Sequence, residues 1–191
     1  MFVLFAAYMN LGIVEAALKD HRSAEASYAK AISLRRTYPD AHYNLGTLYL
    51  SRGLKADALA QFVTATEQNP RHFSAWSNKV ILLDDTEDFA QAEEAALKAA
   101  ALFPDQPDFY FHLGNIYGKT GRFEEAESKY LKALSFEASV QPIYYSNMGV
   151  LYHRWKKYAK AVEHYSKALK LDPNLKSAKA NLESIKKSFR P

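Results

Sequence analysis

A short phrase recurs along this chain at a nearly constant interval, and this repetition constrains the fold more than any other feature. The phrase Tyr-Asn-Leu-Gly at 43–46 returns in altered form, ending in Gly12, Gly114 and Gly149. Its leucine position is filled along the chain by Leu11, Leu45, Lys79, Leu113 and Met148. Successive positions are 34, 34, 34 and 35 residues apart. A fixed period of this length indicates stacked helix pairs, each of which contacts its neighbours.

Small and large residues alternate where the two helices of each repeat would cross. Two slots of the second predicted helix hold alanine in all five repeats: Ala24, Ala58, Ala92, Ala126 and Ala161 at the first, and Ala31, Ala65, Ala99, Ala133 and Ala168 at the second. Between them lies a bulky residue in four repeats (Tyr28, Phe62, Tyr130 and Tyr165) and Ala96 in the third. Small residues let helices approach closely while large side chains fill the gaps beside them. No pair can bury its apolar face alone, so neighbouring pairs must stack.

This pattern resembles the tetratricopeptide repeat, whose period is 34 residues. The sequence therefore predicts an all-α tetratricopeptide-repeat superhelix (α-solenoid) of five helix-turn-helix repeats plus a C-terminal capping helix. The repeats are expected at about 5–38, 39–72, 73–106, 107–141 and 142–175, and the capping helix and tail at 176–191. Ala178, Leu182, Ile185 and Phe189 form an apolar stripe on that last helix, whose other side is rich in Lys and Ser.

Composition narrows the function classes. The net charge is +4, and Lys and Arg are scattered apart from a C-terminal cluster that we interpret as a solvated helix face. Because no basic stripe with interleaved aromatics occurs, nucleic-acid binding is not expected. No run approaches the ~20 apolar residues that span a bilayer, so this segment is not expected to insert in a membrane, although a full-length protein could be membrane-anchored. We interpret the apolar opening as a first repeat cut near its own start.

The sequence offers no active site. The six histidines occupy different repeat slots, and no pair of them has the spacing of a helical metal site. Phosphate-binding glycine loops and nucleophile motifs are absent, as is cysteine. We therefore predict no catalytic residue, no metal and no cofactor, and expect a protein or an extended peptide as the partner.

In a tetratricopeptide superhelix the first helices line the concave groove. One slot there reads Asn10, Asn44, Asn78, His112 and Asn147, and it resembles the asparagine ladder in the superhelix of the O-GlcNAc transferase. An amide offers a donor and an acceptor side by side, which matches a peptide backbone. Alternatively, these residues brace neighbouring repeats. The predicted ligand-binding residues are Asn10, Tyr43, Asn44, Thr47, Asn78, Ile81, Phe111, His112, Asn115 and Asn147.

Longer phrases at 35–40, 42–46, 76–78 and 151–155 go beyond the generic repeat. Together they resemble the C-terminal repeat region of the transmembrane and tetratricopeptide-repeat-containing family, closest to its fourth vertebrate type. That resemblance implies a membrane protein of the endoplasmic reticulum with lumenal repeats, implicated in O-mannosylation of cadherin domains from a mannosyl-phosphate lipid. It places catalysis in a membrane portion that this chain lacks, and leaves substrate or partner recognition to the repeats.

The competing hypothesis is a free-standing cytoplasmic adaptor or scaffold unrelated to glycosylation. Several hydrophobic spans encoded upstream of Met1 would favour the membrane enzyme. A stop codon or soluble sequence there would favour the adaptor.

Overall fold

The computed structural model describes residues 4–136 and 141–188. Over these residues the chain forms eleven helices and no strand, which confirms the predicted all-α repeat fold. In chain order the helices are α1 (Leu4–Ala17), α2 (His21–Leu34), α3 (Pro39–Ser51), α4 (Lys55–Gln68), α5 (Phe73–Asp85), α6 (Phe89–Leu102), α7 (Pro107–Lys119), α8 (Phe123–Leu134), α9 (Pro142–Arg154), α10 (Tyr158–Leu171) and α11 (Lys176–Ser188).

Local chemistry sets the helix ends. Three first helices begin at a proline (Pro39, Pro107 and Pro142), whose missing N–H costs nothing in a first turn. The short turn inside each pair contains one residue with positive φ at the same repeat position: Lys19, Gly53, Glu87, Gly121 and Lys156, with φ between 59° and 79°. Glycine adopts this left-handed backbone freely, whereas the two lysines and the glutamate do so at a cost. The tight turn thus keeps its shape even where the sequence departs from glycine.

The chain divides into two compact units, residues 1–95 and 96–191, with the division inside α6. In the first unit α1 packs on α2 and α3 on α4, while α2 contacts α3 and α4 contacts α5. Its best-defined core joins buried residues of three helices: Met9, Ala24, Tyr28, Ala31, Ala41, Leu45 and Leu48. Lys79 takes the usual leucine position on α5, and its Nζ atom lies 4.9 Å from the centre of the Trp76 ring.

The second unit repeats this arrangement and adds the cap. Helix α7 packs on α8 and α9 on α10, α8 contacts α9, and α11 lies against α10 and α9. Ala178 and Ile185 of α11 are buried and Leu182 is half-buried, as the stripe predicts. The remaining predicted stripe residue, Phe189, lies outside the described residues.

A glycine faces an aromatic ring at four of the helix crossings. A Cβ atom added to Gly46 would lie 2.8 Å from the ring of Phe62, and one added to Gly149 would lie 2.6 Å from the ring of Tyr165. Gly12 and Gly114 stand in the same relation to Tyr28 and Tyr130, each at 2.7 Å. Because side-chain carbons do not approach this closely, any larger residue forces the ring to move. This contact is the physical reason for the recurring Leu-Gly phrase.

Candidate functional site

All ten predicted ligand-binding residues lie on the first helices of the pairs. The first unit carries six of them: Asn10 on α1, Tyr43, Asn44 and Thr47 on α3, and Asn78 and Ile81 on α5. The second unit carries Phe111, His112 and Asn115 on α7 and Asn147 on α9. Contacts between α1 and α3, and between α7 and α9, bring first helices together within each unit.

The asparagines of the first unit have weak partners or none among the described residues. Asn10 is exposed, and Asn44 and Asn78 are half-buried. The Nδ2 atom of Asn44 lies 3.9 Å from the Sδ atom of Met9, and a thioether is a weak acceptor. Over residues 4–136 and 141–188, the side chains of Asn10 and Asn78 make no hydrogen bond to the protein. These amides retain donors and acceptors that a ligand backbone could use.

Tyr43 lies beside a small polar cluster in the first unit, formed by His72 and Asp40. Its ring centre is 4.9 Å from that of His72 and 6.0 Å from that of Phe62. The Nδ1 atom of His72 accepts the backbone N–H of Ala75 at 3.2 Å, which places the proton of a neutral ring on Nε2. That nitrogen lies 3.3 Å from Oδ1 of Asp40. Tyr43 is half-buried against these two rings, so part of its side chain stays accessible.

The asparagines of the second unit are bonded to each other. The hydroxyl of Tyr130 donates to Oδ1 of Asn115 at 2.6 Å. The same oxygen accepts a hydrogen bond from Nδ2 of Asn147 at 2.9 Å. Three helices, α7, α8 and α9, thus meet at one amide oxygen. For Asn147, this is the bracing contact that the alternative interpretation predicts, although its own Oδ1 and a second N–H are not used in it.

Phe111 differs from the other nine predicted ligand-binding residues because its side chain is buried. Its ring stacks on that of Tyr144 with the centres 4.4 Å apart. The Tyr144 hydroxyl donates to Asp108 at 3.3 Å, and burial followed by the Asp108 charge raises the pKa of Tyr144 to about 12. The centre of the Phe111 ring also lies 5.8 Å from that of His112, which is half-buried. The remaining predicted residues, Thr47 and Ile81, are exposed on α3 and α5.

Sequence analysis missed a pair of inter-repeat polar contacts. The hydroxyl of Tyr49 donates to Glu25 at 3.0 Å, and Arg52 pairs with the other oxygen of that carboxylate at 2.5 Å. In the second unit the Tyr152 hydroxyl donates to Glu127, whose carboxylate also pairs with Lys160 at 3.2 Å. Burial and then the bond to Glu127 raise the pKa of Tyr152. Each glutamate directly follows the first of the two alanines that recur on every second helix, a spacing that could have revealed the contact.

The described part of the chain shows neither a metal centre nor a membrane span. Over residues 4–136 and 141–188, no three His, Asp or Glu side chains are grouped so that they could hold a metal ion. Among the same residues, no helix is both long enough and apolar enough to cross a bilayer.

Stacked helix pairs with glycine-ring crossings and a polar first-helix face define a protein-binding repeat scaffold. Three family models, each described as tetratricopeptide repeat, match residues 15–80, 78–142 and 142–175. The chain belongs to the tetratricopeptide-repeat family.

The chain is also similar to individual proteins. The chain is similar to protein O-mannosyl-transferase TMTC3 of Homo sapiens, with 27% identity over 136 residues. That match covers 69% of this chain but 15% of the human protein. Two solved structures share the fold at 21% identity: MamA, with a TM-score of 0.78 over 100% of this chain and 98% of MamA, and YrrB, with 0.75 over 92% and 90%. YrrB is described as a tetratricopeptide-repeat protein with an unusual peptide-binding site.

Proposed function

We propose that this chain is the lumenal recognition domain of an endoplasmic-reticulum membrane O-mannosyltransferase, and that it binds cadherin-type substrates as extended peptide. Support for the enzyme comes from the similarity to human protein O-mannosyl-transferase TMTC3. The phrases at 35–40 and 151–155 favour the fourth vertebrate type of that family. Catalysis belongs, in this proposal, to a membrane portion outside the chain.

The observation that carries the peptide-binding proposal is the state of the first-unit amides. Asn10, Asn44 and Asn78 recur at 34-residue intervals on α1, α3 and α5, with donors and acceptors that the protein does not satisfy well. A peptide backbone presents N–H and C=O groups in the same pairing, so one amide can hold one peptide unit without reading its side chain. Such recognition suits a domain that must accept many acceptor sequences.

The energetics are consistent with a moderate, preorganised binder. Each amide-backbone hydrogen bond contributes about 0.5–1.5 kcal/mol net. Three such bonds, if they add, contribute about 1.5–4.5 kcal/mol, which is at least a tenfold change in affinity at ~1.4 kcal/mol per decade. The side chains stand on packed helices, so little backbone entropy is lost when the ligand binds.

The direct test is fluorescence-polarisation titration of labelled extended peptides taken from cadherin domains. The triple variant Asn10→Ala, Asn44→Ala, Asn78→Ala should weaken binding at least tenfold while its melting temperature stays close to wild type. A matched control is Asn174→Ala, which removes an exposed amide in the turn before α11 and should leave the affinity unchanged. A triple variant that binds as tightly as wild type would contradict the peptide-binding proposal.

The enzyme proposal needs its own test. Protease protection of microsomes, with an epitope tag on these repeats in the natural gene product, should show the tag shielded inside the vesicle. A tag that is digested without detergent would favour the cytoplasmic adaptor instead, as would equal affinity for peptides from cadherin domains and for unrelated peptides.

A further inference from the structure

The turn between α9 and α10 concentrates positive charge that the proposed function does not use. Between 151 and 160 the chain has four Lys or Arg residues and no Asp or Glu. Three of the four, Arg154, Lys156 and Lys157, lie in this turn together with Trp155, and we call residues 154–157 the basic turn. Within residues 4–136 and 141–188, none of these three cations forms an ion pair with a carboxylate. Their charges are therefore available to an anionic partner.

The shape of the turn does not account for its lysines. The residue with positive φ is Lys156, at 59°, where the second and fourth turns have glycine. Lysine adopts this backbone at a cost that glycine avoids. The equivalent turn of the third pair, residues 84–88, contains four acidic residues and no basic one. The same backbone thus accepts either sign of charge.

Trp155 lies beside these cations. Its ring centre is 3.0 Å from Nζ of Lys157 and 5.7 Å from the centre of the Phe123 ring. The Trp155 side chain is half-buried, so part of the indole reaches the surface. The Nη2 atom of Arg154 donates to the backbone oxygen of Lys119 in the neighbouring turn, 3.4 Å away. Two adjacent turns therefore form one edge of the second unit, and this edge presents an indole next to exposed cations.

The acidic residues of this edge do not cancel the charge of the basic turn. Glu125, at the start of α8, pairs with Arg122 at 2.6 Å. Glu127 pairs with Lys160 at 3.2 Å. Glu124 is exposed on the side of the edge that the fourth pair forms. The positive charge is thus concentrated on the side that the fifth pair forms.

We infer that the basic turn is a docking surface for an anionic phospholipid bilayer, with its cations at the lipid phosphates and Trp155 at the level of the headgroups. Clusters of about four to eight Lys and Arg attract anionic headgroups, and indole rings favour the boundary between water and lipid. The turn stands at the end of a helix pair, so a flat surface can meet it without entering a groove. An acidic peptide would engage the cations but would give the indole no such boundary.

The test is co-sedimentation of the chain with phosphatidylcholine vesicles that contain about 30% phosphatidylserine. Arg154→Gln with Lys156→Gln and Lys157→Gln should weaken binding about a hundredfold. The matched control, Lys176→Gln with Lys179→Gln and Lys187→Gln, removes the same charge from exposed positions of α11. It should weaken binding less than about threefold at ~0.15 M salt. Equal losses in the two triple variants would overturn the inference, because binding would then follow net charge alone.

The position with positive φ gives a second comparison. Lys156→Gly and Lys19→Gly each replace a lysine at the same place in a turn, with φ of 59° and 62°. Both should raise the melting temperature, because glycine relieves the backbone. Only Lys156→Gly should weaken vesicle binding, by about fivefold. A Lys156→Gly variant that binds vesicles as tightly as wild type would contradict the inference.

Fluorescence tests where the indole lies. In the Trp76→Phe variant Trp155 is the remaining tryptophan, and its emission should shift to shorter wavelength when vesicles bind. Unchanged emission from vesicle-bound protein would overturn the placement at the headgroups.

Two soluble anions distinguish a bilayer from other partners. Vesicles should bind more tightly than poly-glutamate at equal concentration of anionic groups, and inorganic phosphate at that concentration should not displace them. Tighter binding of poly-glutamate would assign the surface to an acidic protein, and displacement by phosphate would assign it to a free anion; either result overturns the inference. The basic turn shares no residue with the first-unit amides, so vesicle binding and peptide binding can each fail alone.

Discussion

The second helix pair (α3 and α4) and the fifth (α9 and α10) have equivalent residues at most repeat positions, but their asparagines form different hydrogen bonds. In both pairs the helices cross through a glycine that faces a buried ring, and a tyrosine hydroxyl donates to a glutamate of the preceding pair. Their amides differ: Asn147 is bonded to Asn115 at 2.9 Å, whereas Asn44 reaches only a methionine sulfur at 3.9 Å.

The difference traces to one neighbouring position. Asn147 finds an amide oxygen on the preceding first helix because Asn115 stands there, held by Tyr130. The position equivalent to Asn115 before α3 is Ile13, which has no polar group to offer. The backbone crossing is therefore common to both pairs, while the polar slots are free to serve either stability or a ligand.

The largest effect should come from the shared crossing. Gly149→Ala and Gly46→Ala should each lower the free energy of unfolding by about 1–3 kcal/mol more than Gly118→Ala, because the added methyl meets a buried ring. At Gly118 the added carbon would lie 3.3 Å from the flexible end of Leu151. All three glycines are helical, so the gain in helix propensity cancels. Urea denaturation measures the difference, and unequal losses at 46 and 149 would show that the two crossings are not equivalent.

The tyrosine–glutamate contacts should give the next largest effect. Tyr49→Phe and Tyr152→Phe each remove a hydroxyl that donates to a carboxylate, and hydrogen bonds to charged groups contribute about 1.5–3 kcal/mol. Because both carboxylates stay partly solvated and keep a basic partner, we expect a loss of about 1.5 kcal/mol in each case. Denaturant midpoints of the two variants should shift together. If Tyr152→Phe left the denaturant midpoint unchanged while Tyr49→Phe lowered it, the two pairs would not share this contribution to stability.

The amides should separate the pairs. Asn147→Ala should lower the free energy of unfolding by about 1 kcal/mol because it leaves Asn115 with one bond fewer, whereas Asn44→Ala should be close to neutral. Peptide affinity should respond in the opposite order, with the loss at Asn44. Melting and titration of the same two proteins give both numbers. Equal effects on melting would mean that Asn44 braces its repeat as Asn147 does.

The smallest expected effect is a pH dependence of stability that His164 of the fifth pair contributes. Burial lowers the pKa of His164 below its ordinary value of 6.5, against the raising effect of the hydrogen bond to Lys160. Rings of Tyr145 and Tyr152 lie 6.2 and 5.0 Å from it. A depressed histidine pKa means that the unfolded chain takes up protons first, so this stability is present above pH 6.5 and is lost as the pH falls towards the folded pKa.

His164→Gln should therefore flatten the loss of melting temperature between pH 7.5 and 5.5. The second pair has Gln61 at the position equivalent to His164, and the reverse substitution Gln61→His supplies a comparison. There the neighbouring side chain is His42, whose Nδ1 atom lies 2.8 Å from Oε1 of Gln61. If the His164→Gln profile matches wild type, burial of the imidazole does not contribute to acid sensitivity.

The repeat pattern alone was enough to predict helices, their pairing and the cap. Leu113, Ala126 and Ala178 are all fully buried where the 34-residue register expects them. Such residues are predictable because each slot meets the same neighbours in every repeat. The candidate site stays a prediction: all ten residues lie on first helices, as the repeat register expects. The burial of Phe111 against Tyr144 follows from an aromatic partner 33 residues away that the pattern does not specify.

The sequence by itself determined which backbone fold forms, because size alternation between glycine and ring is a local property repeated five times, with the third copy reversed to Val80 and Ala96. Only the tertiary structure decided which amides are committed and which remain available. That outcome depends on three side chains from α7, α8 and α9 meeting at the oxygen of Asn115, and no spacing along one helix encodes it. The exposure of Leu11 was decided in the same way, since Leu11 is exposed and Leu45 is buried although both are leucines in the same repeat slot.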